Sequence, residues 1–150
     1  MTTSENVALL ERWYREVWRE GKNETIYELL AADAVVSGQT GPDAEIHGPA
    51  EFAKFADQIR SAFPDTDVVV EDAFGVDDKV AVRWSATMTH LGDSLGVPAT
   101  GNKVRITGMT IARIVDGRIV EGWDNWDKLA MLEQIGAYRA PELPILAKTA

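Results

Sequence analysis

Asp124 stands in the run Trp123-Asp124-Asn125-Trp126, where a carboxylate meets large apolar side chains at the end of a predicted strand. Burial there disfavours the charged form and raises the carboxyl pKa. Such a base is matched to removing a proton from carbon between carbonyls, and the acid so formed can later reprotonate oxygen. The other reading makes Asp124 a cap for the helix that follows, but Asp127 is the better cap, is taken as structural, and leaves Asp124 free. His90, at the end of another predicted strand, could polarise a substrate carbonyl, hold Asp124 by a hydrogen bond, or anchor a loop. Tyr14 could offer its hydroxyl to a substrate oxygen or be plain core. Trp13, Trp18, Phe52, Phe55, Phe63, Trp84 and Trp126 could line a flat hydrophobic cavity, and most must also serve as core.

Other chemistries are excluded by what is missing. The chain has no cysteine, so no thiolate nucleophile, disulfide or zinc-thiolate site is available. Its two histidines, His47 and His90, show no metal-ligand spacing, and no metal site is expected; His47, just before a helix start, reads as a loop anchor. A net charge of −9 with no concentration of Lys and Arg opposes nucleic-acid binding. No apolar run is long enough to span a bilayer, and Met1-Thr2-Thr3-Ser4-Glu5-Asn6 does not read as a signal peptide, so a cytoplasmic protein without membrane partners is expected.

The elements that must position these residues follow from hydrophobic period. Val7 to Trp18 has helical spacing, with Thr3 or Ser4 as cap and Gly21 as stop. Asn23 offers a cap for a short helix through Ile26, Leu29 and Leu30 that should break near Asp33. Ala34 to His47 reads as an irregular loop with one short strand at Val35-Val36. Gly48-Pro49 starts a helix whose apolar stripe is Phe52, Phe55, Ala56, Ile59 and Phe63, ended by Pro64.

After Asp65 the period becomes alternating. Strands are predicted over Val68 to Phe74, Lys79 to His90, Val104 to Val115 and Arg118 to about Trp126, with a loop from Leu91 to Asn102 and a tight turn at Asp116-Gly117. A last helix runs from near Asp127 to Gly136. Strand parity puts Val80, Val82, Trp84, Ala86, Met88 and His90 on one face. If Asp124 points inward, so do Val120, Gly122 and Trp126, and a three-residue turn including Gly117 would add Gly108, Thr110 and Ala112. Small residues there either leave room for a ligand or mark close helix packing. Helices first and hairpins after is the order of a single α+β domain in which helices cover one face of a curved antiparallel sheet.

Val17-Trp18-Arg19-Glu20-Gly21, His47-Gly48-Pro49-Ala50-Glu51-Phe52, Ala62-Phe63-Pro64-Asp65 and Val80-Ala81-Val82-Arg83-Trp84 resemble, in this order, the SnoaL-like polyketide cyclases. Thr89-His90-Leu91-Gly92, Leu95 to Gly101, Asp116 to Glu121 and Trp123-Asp124 extend the likeness over a core of about 6–136, with a tail at 137–150. The resemblance implies a nuclear transport factor 2-like cone enclosing a pocket, a homodimer or higher homo-oligomer, and intramolecular aldol ring closure of a hydrophobic polyketide-like molecule without metal or cofactor. It also implies the general acid/base role for Asp124. Where the characterised cyclases have a second histidine on the neighbouring strand, this chain has Thr110, which can donate a hydrogen bond but carries no charge near neutrality.

The expected site is therefore Asp124 and His90 as catalytic groups, with Tyr14, Trp84, Met88, Thr110, Trp126, Phe52 and Phe55 about the substrate; Thr110 and His90 are expected to meet substrate oxygens. Two alternatives remain open. Water addition, as in epoxide opening, needs an inward acid partner; the resemblance to epoxide hydrolases of this fold implies an Asp-Arg-Asp arrangement, whereas Arg83, Arg105 and Arg113 fall on the outward parity. A binding protein would use Asp124 only to anchor a ligand hydroxyl.

Overall fold

The computed structural model describes residues 1–139 and 141–143; of the expected tail, 140 and 144–150 lie outside the described residues. Helix α1 (Thr3–Trp13) opens with a capping box one residue earlier than expected. Thr2 is the cap because Glu5 stands three residues on: Glu5 N–H donates to Thr2 Oγ1 at 3.1 Å and Thr2 N–H to Glu5 Oε2 at 2.7 Å. The helix does not continue uniformly to Trp18. Tyr14–Arg19 forms a wider π turn, with Glu20 N–H donating to Arg15 O five residues back, and it buries Tyr14 and Val17.

Helix α2 (Asn23–Leu29) begins after Lys22 without a side-chain cap, so Asn23 is not the cap expected of it. Its amide reaches across instead, donating to Asp57 and accepting from Arg60, and so ties α2 to α3. The chain leaves the helix at Leu29, short of Asp33, because Leu30 enters the sheet opposite Ile119. Strand β1 (Leu30–Ser37) is thus far longer than Val35-Val36, and β2 (Glu45–His47) pairs with it.

Helix α3 (Gly48–Ala62) starts where the sequence indicates, with Gly48 at φ +75° and a space into which a Cβ would press within 2.8 Å of Ala32 O. It is followed by β3 (Asp67–Val76), β4 (Lys79–Thr89), β5 (Lys103–Val115), β6 (Arg118–Trp126) and α4 (Lys128–Gln134). The sheet order is β2-β1-β6-β5-β4-β3, antiparallel throughout except that β1 runs parallel to β6.

The β5–β6 hairpin explains why Asp124 faces inward. Its turn has two residues, not three: Val115 pairs with Arg118, and Asp116 and Gly117 take φ of +50° and +74°, as a type I′ turn requires. A bulge then supplies the missing residue, since Ile114 pairs with Ile119 but Arg113 with Glu121. Beyond it Thr110 pairs with Asp124 and Gly108 with Trp126 on the buried face. Before it the parity is reversed, so Ile119 is buried in the place expected for Val120.

The core lies between this face and the helices, where Leu10, Val17, Ile26, Phe52, Phe63 and Val80 are almost wholly removed from water. Along β5 alternate residues from Lys103 to Ile111 are exposed on the outward face, which carries Met109 and Ile111 with Trp123 of β6. Asp127 caps α4 by accepting from Ala130 N–H at 3.0 Å, the structural role expected of it. Among the described residues no helix is long and apolar enough to cross a membrane.

Candidate active site

Asp124 is 7% exposed, and burial pushes its carboxyl up from 3.8 to about 6. Two polar neighbours pull the other way: the hydroxyl of Thr110, donating to Oδ1 at 2.5 Å, and a looser contact with the side chain of Gln39. Thr110 Oγ1 in turn accepts from the Tyr14 hydroxyl at 2.5 Å and from Trp84 Nε1 at 3.3 Å. Burial, followed by the charge of Asp124, drives the Tyr14 pKa well above its ordinary value, so the phenol keeps its proton at neutral pH.

Each partner comes from a different element. Tyr14 is delivered by the π turn, Trp84 by β4, Thr110 by β5 and Asp124 by β6. The indole of Trp84 lies over Gly108, where a Cβ would come within 2.3 Å of it, and that clearance brings Nε1 to Thr110. Gly38, at φ +92°, lets the loop after β1 close on the main chain of Asp124, where a Cβ would stand 2.1 Å from the carbonyl oxygen. Gln39 is held there by Trp126 Nε1, which donates to its carbonyl oxygen at 2.9 Å.

Asp124, Tyr14, Trp84 and Gln39 border a narrow, open-mouthed hollow with about 60 Å³ of free space. Of the residues expected about the substrate, Tyr14, Trp84, Met88, Trp126 and Phe55 line it together with Asp124. Phe52, edge-on to Trp13 at 5.1 Å and to Phe55 at 5.8 Å, lines instead an adjoining small hollow that Asp124, Tyr14 and Gln39 also border. Thr110 lines that second hollow and joins the site through its hydrogen bonds. Its one proton is committed to Asp124 and its oxygen to two donors, so it is not free to donate to a substrate oxygen as expected. The Tyr14 proton is likewise engaged with Thr110. Asp124 is the sole ionisable acid or base besides Tyr14 among the described lining residues.

His90 is placed elsewhere. Thr110 pairs with Val82, and His90 follows eight residues further along the chain, a contour of about 26 Å. It is fully buried against Phe63, with ring centroids 5.6 Å apart. Its Nδ1 accepts from Thr100 N–H at 3.2 Å and lies 3.0 Å from Thr100 Oγ1, while Gly101 N–H donates to its carbonyl. The ring fastens the loop between β4 and β5; the partner expected of it at Asp124 is Thr110 instead. His47 is exposed at the end of β2, with Nε2 3.1 Å from Glu45. Arg83 and Arg105 are exposed on the outward face and Arg113 pairs with Glu121 at 2.6 Å, so none stands beside Asp124.

The residue that sequence reasoning missed is Gln39. Its loop carries only turn composition, and the one signal available, Gly38, acquires meaning when β1 is known to lie beside β6. Ile106 and Met131, which line the apolar part of the hollow, could be found only as buried residues of their elements.

Helices closing one side of a curved six-stranded sheet are the architecture of the nuclear transport factor 2-like class. The sequence profile of the SnoaL-like polyketide cyclases matches residues 8–135, and the chain belongs to that family. It is 26% identical over 122 residues to the aklanonic acid methyl ester cyclase DnrD of Streptomyces peucetius, a match covering 81% of this chain and 84% of the relative. AclR of Streptomyces galilaeus, whose proposed activity is hydroxylation, superposes with a TM-score of 0.81 at 29% identity, covering 95% of this chain and 91% of its own. IdmH of Streptomyces antibioticus, a proposed polyketide cyclase, gives 0.74 at 31% identity, covering 91% and 99%.

Proposed function

We propose that the protein closes a ring in a hydrophobic polyketide-like molecule by cofactor-independent acid/base catalysis, with Asp124 moving the proton. The observation that carries this reading is the buried carboxyl, with a pKa of about 6, at the polar end of an otherwise largely apolar hollow. At pH 7 such a carboxyl is mostly ionised and able to act as base, and its acid form is in larger supply than that of an ordinary aspartate.

Asp124 takes a proton from a carbon flanked by carbonyls. The electron pair left behind forms a carbon–carbon bond to a ketone carbon of the same molecule. The ketone π pair moves to oxygen, which takes the proton back from Asp124. Atoms balance within the substrate, so the product is an isomer of unchanged mass. The walls would hold the chain folded so that the two carbons meet, the part of the barrier that positioning removes. The outward arginines favour ring closure over water addition, which would need a second charged group beside Asp124.

The named substrate of the cyclase relatives, aklanonic acid methyl ester, is the first compound to test. Incubation should give a ring-closed isomer of unchanged mass that carries a new hydroxyl in place of one ketone, and Asp124→Asn should remove that change. Equal rates in the two proteins would end the proposal. The homodimer or higher homo-oligomer implied by the family would use the outward sheet face with Met109, Ile111 and Trp123, and sedimentation giving a mass of 16.5 kDa alone would exclude it.

A further inference from the structure

The three side chains linked to Oδ1 of Asp124 by hydrogen bonds obey a strict proton inventory. A threonine hydroxyl has one proton to donate and two lone pairs to fill. Oδ1 of the ionised Asp124 can only accept and the Trp84 indole N–H can only donate, so Thr110 spends its one proton on Oδ1. The Tyr14 hydroxyl, 2.5 Å from Thr110 Oγ1, must then be the donor in that pair. The direction of every hydrogen bond in the chain is thereby fixed.

We propose that Tyr14 and Trp84, acting through Thr110, form a one-way relay that locks Oδ1 of Asp124 and leaves Oδ2 as the oxygen that exchanges a proton with substrate. This rests on the reading of Asp124 as the proton carrier. Thr110, Tyr14 and Trp84 are positioning residues in it and do not touch the reacting atoms. Gln39, on the loop after β1, is the remaining polar group at the carboxyl. The relay is made of hydroxyls and an indole, so it orients the carboxylate without itself gaining or losing a proton between pH 5 and 9. Catalysis should then show one acid limb, that of Asp124, and a flat profile above it. The groups facing Asp124 are Tyr14 from the π turn, Trp84 from β4, Thr110 from β5 and Gln39 from the loop after β1, and none of them titrates in that range.

The test reads the carboxyl directly. Protein labelled with carbon-13 at aspartate carboxyls is titrated by NMR, with Asp124→Asn assigning the resonance. In Thr110→Val, which keeps the shape and loses the donor, the Asp124 titration should move upward, because the lost hydrogen bond favoured the charged form. Turnover should fall by about 100-fold, the scale of a reacting group allowed to swing. Thr110→Ser should restore both, and Tyr14→Phe should lower turnover by about tenfold without producing an alkaline limb. An Asp124 titration unmoved in the folded Thr110→Val protein overturns the relay, as does an alkaline limb below pH 9 in the wild type. If the resonance moves as expected but no ring-closure substrate is turned over by any form, the relay stands and the proposed function falls.

Discussion

Asp124 on β6 and His90 just past the end of β4 are both buried polar residues, and the fold treats them in opposite ways. His90 is sealed between Phe63 and the loop that carries Thr100, and the hydrogen bonds of its Nδ1 and backbone hold that loop in place. Asp124 is nearly as buried, but it borders a hollow that it shares with Tyr14, Trp84 and Gln39, and its Oδ1 is bonded to Thr110. Burial therefore does not mark a site. A buried ionisable group becomes chemically useful when the groups that satisfy it approach from one side and space remains on the other.

The sharpest way to break the comparison is to remove the charge at one pole. Asp124→Asn should reduce ring-closure turnover by about 1,000-fold, within the range for loss of a general base, as read from initial rates with product separated by chromatography. The same substitution should leave a better-behaved fold. A carboxyl whose pKa rises from 3.8 unfolded to about 6 folded binds its proton more tightly in the folded state. Stability then falls as pH rises from about 4 to about 6 and stays at the lower level above, by about 3 kcal/mol for a shift of this size. Asparagine removes that penalty, so the variant should melt higher than wild type at pH 8, and the gap should close below pH 4. A variant that melts lower at every pH would mean that ionised Asp124 is held by more than its contacts with Thr110 and Gln39.

At the other pole, His90→Ala should cost about 2 kcal/mol of stability through the lost ring packing and loop anchor, with kcat unchanged in the folded fraction. Lost turnover at an unchanged melting temperature would return His90 to the site. Gly108→Ala probes the hinge between core and site. Its methyl group would overlap the Trp84 indole, costing about 1–3 kcal/mol and pulling Nε1 from Thr110, with the displaced indole visible in near-ultraviolet circular dichroism.

The contrast between the two poles was only half readable in the sequence. Parity along β4, β5 and β6 put Thr110 and Asp124 on one face because side chains alternate with period two, a rule that survives any amount of tertiary detail. It did so through two errors that cancel: the turn has one residue fewer than expected, and the bulge near Val120 supplies it. The separation of His90 from Asp124 could not be read, since parity fixes the face and says nothing of distance along the strand. The π turn at Tyr14 was hidden for a similar reason, because the apolar spacing from Val7 to Trp18 fits an ordinary helix nearly as well. The parallel pairing of β1 with β6 was hidden by distance, its partner lying more than 80 residues away behind a stretch rich in Ser, Gly and Pro.

The smallest effect expected distinguishes two acids of identical chemistry three residues apart. Asp127 is exposed and spends its carboxylate on the first turn of α4, accepting from Ala130 N–H. Replacing it by alanine should cost about 1 kcal/mol, the value of a helix cap, read as a modest loss in thermal unfolding. The acid limb of the pH profile should stay where Asp124 sets it, because an exposed charge on the far side of the strand end is screened by water from a carboxyl in the hollow. A shift of that limb in Asp127→Ala would show that the loss of the α4 cap reaches the hollow through Met131, which lies on that helix and lines the apolar wall. The two aspartates would then be coupled through packing, and the depth of the hollow, more than its relay, would set the pKa of Asp124.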